Sequence, residues 1–178
     1  CLISQGTAAV TSERAIGGLP ARFSSIAVES IGAGGGSIAW IDPAGGLKVG
    51  PRSAASCPGP ACYGLGGSEP TITDANLLLG YLSEKTPLAG TIRLNREASE
   101  EVIWRLGERL GFEPLAMADG IIAVANGNMM NALKLVSVRR GYDLRKFALV
   151  AYGGAGPLHA GRLARNLRVP KVVIPALS

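Results

Sequence analysis

Histidine, cysteine and aromatic side chains are all scarce in this sequence, and each shortage closes a class of function. The 178 residues hold one histidine, three cysteines and 5% Phe, Trp and Tyr. Cys1, Cys57 and Cys62 are odd in number and carry no framework spacing, which fits a reducing compartment rather than a disulfide-stapled fold. Cys57 and Cys62 lack the close spacing of a zinc pair, and His159 alone cannot complete a ligand set, so no metal site is expected within these residues. No aromatic residue interleaves with the basic cluster Lys134, Arg139, Arg140, Arg145 and Lys146, so nucleic-acid binding is not expected. That cluster reads as a solvated helix end or as a phosphate contact. No signal peptide and no apolar run of spanning length stand out, and the expectation is a cytoplasmic protein that does not enter a membrane.

Charge is thin as well, at 17% of residues against about a quarter in ordinary domains. Such a surface is expected to be partly covered by other protein. The hydrophobic share, 47%, argues against disorder. The length allows one domain with a real core or one piece of a larger protein. Cys1-Leu2-Ile3 enters in mid-pattern and the chain stops just after an apolar run at 172–174, so both ends read as cut from a longer chain.

Glycine, by contrast, is plentiful, with 25 residues gathered in a few places. Residues 147–152 form an apolar run that reads as a buried strand. The run breaks at Gly153-Gly154-Ala155-Gly156, and Pro157 opens a helix to Leu167. Strand, glycine turn and helix together can present free N–H groups and a positive helix end to a ligand. The same sequence also suits a plain tight connection. It carries neither the three spaced glycines of a dinucleotide fingerprint nor the lysine of a P-loop. A second cluster, Gly32 to Ser37, costs entropy to order, so it demands tight packing, mobility or a ligand.

The remaining elements follow from pattern. Short strands are expected at 2–3, 8–11 and 25–31, with a loop at Gly17-Gly18. A hairpin is expected from 37–42 and 47–50, turning at Pro43-Ala44-Gly45-Gly46. Residues 51–73, rich in proline and glycine, read as an ordered loop holding a buried Cys62. Thr73 or Asp74 can cap a short helix, and Asp74 can alternatively serve as a site carboxylate. Asn95 caps a helix over 96–110, and Pro114 opens a long one to Arg140. Gly120 and Gly127 within it suggest close helix packing, and Asn126, Asn128 and Asn131 read as a solvated strip. A final strand is expected at 171–174. The order helix, strand, helix, strand predicts a parallel α/β layer.

Four blocks stand in order: residues 31–40 (Ile-Gly-Ala-Gly-Gly-Gly-Ser-Ile-Ala-Trp), 58–64 (Pro-Gly-Pro-Ala-Cys-Tyr-Gly), 70–80 (Pro-Thr-Ile-Thr-Asp-Ala-Asn-Leu-Leu-Leu-Gly) and 153–160 (Gly-Gly-Ala-Gly-Pro-Leu-His-Ala). Together they resemble the hydantoinase A / 5-oxoprolinase family, in the C-terminal part of its hydantoinase A domain, over nearly the whole chain. The resemblance implies an α/β fold of the ribonuclease-H-like, actin-like ATPase kind, with residues 1–178 a single partial unit bearing a glycine/proline-rich loop. It implies ATP-driven opening of a cyclic amide, in which the carbonyl oxygen takes a phosphoryl group. It also implies an oligomeric full-length protein with a hydantoinase B-like partner. On the same resemblance Gly153, Gly154, Ala155 and Gly156 match the adenosine-side turn. Gly34, Gly35, Gly36, Ser37 and Asn76 become candidates for the cleft, and His159 and Asp74 for catalysis. The Asp-x-Gly-Gly-Thr phosphate turns of the family do not occur here, so Mg²⁺ and phosphate ligands are expected outside these residues and the isolated piece is expected to be inactive. Where the family reads Ser-Ala-Gly-Ala, this chain has Ser53-Ala54-Ala55-Ser56, which questions any positive φ at Ala55. Two alternatives stay open: a subunit of an acetone- or acetophenone-type carboxylase, and a non-catalytic module that docks the partner.

Overall fold

A computed structural model describes residues 1–16 and 19–176, with the side chains of residues 13–16 left out of account. Two short antiparallel pairs open the chain: β1 (Ile3–Ser4) with β2 (Thr7–Ala8), and β3 (Val10–Ile16) with β4 (Leu19–Ile26). The strand expected at 25–31 therefore lies earlier in the chain. Val10 pairs with Ile26, Ala27 donates its N–H to Ala9, and residues 28–31 are not in strand conformation. The expected loop at Gly17-Gly18 lies outside the described residues.

The hairpin forms as the alternation and turn residues require. β5 (Ser37–Ile41) pairs with β6 (Leu47–Ser53), with Ile41 opposite Leu47. Asp42 Oδ1 accepts the N–H groups of Ala44 and Gly46 at 3.0 and 2.8 Å, closing the turn. The inner residues Ala39 and Val49 meet three helices: α1 (Ile72–Leu78), α2 (Arg96–Glu108) and α3 (Pro114–Val136). Ile72, Ile103, Ile121 and Ile122 are fully shielded there, each side chain contributing about 1.5–3 kcal/mol.

Thr71 caps α1, in place of the expected Thr73 or Asp74. Its hydroxyl accepts from Asp74 N while the Asp74 carboxylate accepts from Thr71 N, a reciprocal capping box. An antiparallel bridge to Ile38 pins the residue against β5. Asn95 caps α2 as expected.

α3 stops at Val136 rather than Arg140. Ser137 bonds back to the Leu133 carbonyl, and Val138–Arg140 tighten into a 3-10 turn. By length and hydropathy the helical stretch Pro114–Arg140 could cross a membrane, which the sequence reading did not anticipate. Here its apolar face packs on the hairpin and the other two helices. Gly120 and Gly127 do not mark close packing: a Cβ at Gly120 would meet ordinary contacts of 3.5 Å or more, and one at Gly127 would meet nothing within 4 Å.

The chain ends in a parallel unit, β7 (Ala148–Val150), α4 (Gly156–Leu167) and β8 (Lys171–Val173), with β7 beside β8 and α4 as the crossover. The mixed α/β class and the parallel pair agree with the sequence reading.

The proline–glycine loop is ordered by close backbone approach. A Cβ at Gly67 would stand 2.2 Å from the Gly59 carbonyl oxygen. Ala55 does adopt the left-handed conformation, at φ 56°, which disfavours any residue with a Cβ. Ala55→Gly should therefore raise stability by about 1 kcal/mol, once glycine's extra chain entropy is offset. Urea unfolding of parent and variant checks this.

Candidate functional site

Asp74 sits on the first turn of α1 with no solvent exposure. Its carboxylate accepts from Cys62 N and Ser99 Oγ, each at 2.9 Å. It also accepts from Thr71 N at 2.9 Å, Thr71 Oγ1 at 2.7 Å and Ala61 N at 3.4 Å. Donors from the 60s turn, the α1 cap and α2 thus converge on one carboxylate that pairs with no cation among the described residues. Burial and the neighbouring Asp74 push the Cys62 thiol far up, so it stays protonated. Asn76, two residues further and so on another face of α1, is also buried, with its Oδ1 unpartnered. Both residues lie inside the fold, away from any open wall.

The glycine cluster closes onto the same region. Ser37 Oγ accepts from Gly34 N at 2.9 Å and donates to the Gly32 carbonyl at 3.2 Å. Gly35 O accepts Thr73 N, tying the cluster to α1. A Cβ at Gly35 would lie 2.7 Å from Thr73 Oγ1, and one at Gly36 3.0 Å from Ser53 Oγ. Packing therefore favours glycine at 35 and 36, whereas a Cβ at Gly34 would meet nothing within 4 Å.

The turn after β7 is built differently. Gly153 holds φ 81°, which favours glycine. Gly154 and Gly156 would meet nothing within 4 Å if they carried a Cβ. No side chain caps the start of α4, where Ala155 stands at the cap and Pro157 in the first turn. In the first turn Pro157 has no N–H and Leu158 N donates to the Ala155 carbonyl at 3.1 Å, so the positive end of the helix dipole stands at the turn without a side-chain partner.

His159, one turn into α4, is 1% exposed. Its Nδ1 lies 2.8 Å from Asn126 Oδ1 on α3, and its buried Nε2 has no partner. Nδ1–H donates to the carboxamide oxygen, so Nε2 carries the bare lone pair. Burial, with Arg162 nearby, holds the imidazole below its ordinary 6.5, so it is neutral at physiological pH. Arg162, a turn further, reaches Asp119 on α3 and the Tyr81 hydroxyl after α1. That pair is substantially exposed and contributes about 1 kcal/mol at most. Breaking the buried Asn126–His159 bond strands polar groups at about 1–3 kcal/mol.

The sequence candidates thus fall into two groups. Gly34–Gly36, Ser37, Asp74 and Asn76 gather around α1, while Gly153, Gly154, Ala155, Gly156 and His159 gather at the start of α4. Asn126, Asp119, Arg162 and Tyr81 were missed as partners. Asn126 was placed in a solvated strip, yet it follows Ile122 by four and so shares the buried face. Asn128 and Asn131 are exposed. Among the described residues no group of three His, Cys, Asp or Glu side chains could hold a metal ion.

The family model for hydantoinase/oxoprolinase matches residues 1–178, and the chain belongs to that family. It is 51% identical over 154 residues to the caprolactamase subunit alpha of Pseudomonas jessenii, covering 86% of this chain and 22% of that one. It is 45% identical over 147 residues to the acetophenone carboxylase gamma subunit of Aromatoleum aromaticum, covering 82% and 20%. Among solved structures it superposes on the ATP-dependent caprolactamase from Pseudomonas jessenii with a TM-score of 0.84 at 49% identity, covering 89% of this chain and 23% of that one. It superposes on nucleotide-free acetone carboxylase with a TM-score of 0.89 at 30% identity, covering 99% and 25%. The chain therefore spans about a fifth to a quarter of the length of these relatives.

The buried carboxylate gives the first test of the site's framework. Asp74→Ala removes the acceptor of five buried or capping donors and should lower stability by about 3 kcal/mol or more. Denaturant titration, with circular dichroism to follow the helices, reads the loss.

Proposed function

We propose that these residues are part of an ATP-dependent enzyme that opens a cyclic amide by phosphorylating its carbonyl oxygen. The observation that carries this reading is the turn after β7. Gly154 and Gly156 have no internal packing reason to be glycine, while a nucleotide brought against the backbone would supply one. Gly153, Gly154, Ala155 and Gly156 would stand on its adenosine side, in one half of an actin-like ATPase fold. Higher identity to the caprolactamase than to the carboxylases favours the amide substrate.

In this reading phosphoryl transfer to the amide oxygen makes the carbonyl carbon electrophilic. Water then adds, the ring nitrogen leaves as the amine, and phosphate is released by a second water. Mg²⁺ and the phosphate-binding side chains belong to the remainder of the protein, as do the contacts that choose the substrate. Asp74 serves as a buried support that joins the 60s turn, α1 and α2, and His159 acts as a neutral seat for α4. A hydantoinase B-like subunit completes a cytoplasmic, oligomeric assembly. The second reading, a ketone carboxylase subunit, is supported by the TM-score of 0.89 to acetone carboxylase.

With the full-length protein and its partner, ADP release from Mg²⁺-ATP should rise on adding caprolactam, 5-oxoproline or a hydantoin. A rise only with ketone plus bicarbonate moves the assignment to the carboxylases. Gly154→Val gives a local test, because the space around Gly154 is open in the protein itself. The melting temperature should hold while the Kd for ATP rises about ten-fold or more. Unchanged ATP affinity would remove the turn from the site.

A further inference from the structure

α4 contributes no residue to either apolar cluster of the core, although Ala160, Leu163, Ala164 and Leu167 are buried along it. Ala160 and Leu163 share a concavity with Ala132, Leu133 and Val136 of α3, and two side-chain hydrogen bonds add direction to that contact. Asn126 and His159 form the inner tie, and Asp119 and Arg162 form the outer one. The two anchors on α3 are seven residues apart, about 10 Å along the axis, so together they set the angle of α4 as well as its position. The outer tie is partly exposed and weakened by solvent, which leaves the buried inner one to define the geometry.

Apolar residues at both 126 and 159 would pack between the helices without stranding a polar atom. The chain instead buries an imidazole whose Nε2 finds no partner, and what it gains is one directional contact. That contact is made one turn from Gly156, where the glycine turn enters the helix.

We propose that Asn126 is a positioning residue: through the His159 ring its carboxamide seats α4 on α3 and so fixes where the Gly153–Gly156 turn stands. The charged group that acts on the ring is Arg162 on α4, and it is itself paired with Asp119 on α3 and the Tyr81 hydroxyl after α1. Asn126 is therefore the one partner shown for the imidazole. The consequence for nucleotide binding rests on the functional reading above, whereas the seating itself does not.

Hydrogen exchange on the full-length protein tests the seating. In Asn126→Ala, amides 158–164 of α4 should exchange at least about ten-fold faster, while those of α1 and α2 keep their protection. Asn126→Asp retains an acceptor for Nδ1–H and should restore protection. It should also raise the His159 pKa, seen as a shifted imidazole titration, because a carboxylate favours the imidazolium. Unchanged exchange in Asn126→Ala overturns the proposal, and so does loosening spread evenly over α1, α2 and α4 without rescue by Asn126→Asp. ATP affinity is read separately on the same variants. Loosened α4 with unaltered ATP affinity upholds the seating and counts against the nucleotide assignment of the turn.

Discussion

A single buried carboxylate ties together the 60s turn, α1 and α2. Among the described residues Asp74 has no counter-ion, and its carboxylate is met by N–H and O–H dipoles from three segments that must all arrive together. That requirement fixes the 60s turn against α1 and α2 against both. It also explains how a stretch rich in proline and glycine can be ordered without a regular ladder: Cys62 and Ala61 find their acceptor in Asp74. The glycine cluster then docks on the same helix through Gly35 O and Thr73 N. The α1 end is thus a rigid block with few degrees of freedom left for chemistry.

The α4 end follows the opposite rule. Its glycines are not demanded by neighbours, its helix start has no side-chain cap, and Tyr152 beside it is 74% exposed. A backbone that is open but conformationally specified, as at Gly153, suits contact with something outside the chain. The two ends communicate through α3, which packs on α1 along one face and holds His159 from Asn126 on a neighbouring one. Any displacement of α3 would move the turn relative to the rigid block, and with it the wall on which a nucleotide would rest.

Much of this was legible in the sequence because the signals were local. Asn95 capping α2, the turn at Asp42, and the glycine stop after β7 follow from side-chain chemistry within a few residues. The strand at 25–31 was misplaced because its end depends on which strand lies alongside. The cap of α1 was misjudged by two to three residues because Thr71 and Asp74 act as a pair, and a single-residue reading could not separate them. Asn126 was read by polarity when helical spacing put it on the buried face. Neither Asp74's saturation nor the seating of His159 could be read, since their partners lie 12 to 33 residues away in sequence.

The central claim is that the turn after β7 is a nucleotide contact. The most direct test is the structure of the full-length protein bound to a non-hydrolysable ATP analogue and Mg²⁺. The account predicts the adenosine moiety against the backbone of Gly153 to Gly156, with α4 still tied to Asn126. An adenosine bound elsewhere, with the turn in contact with solvent or with another subunit, would contradict it.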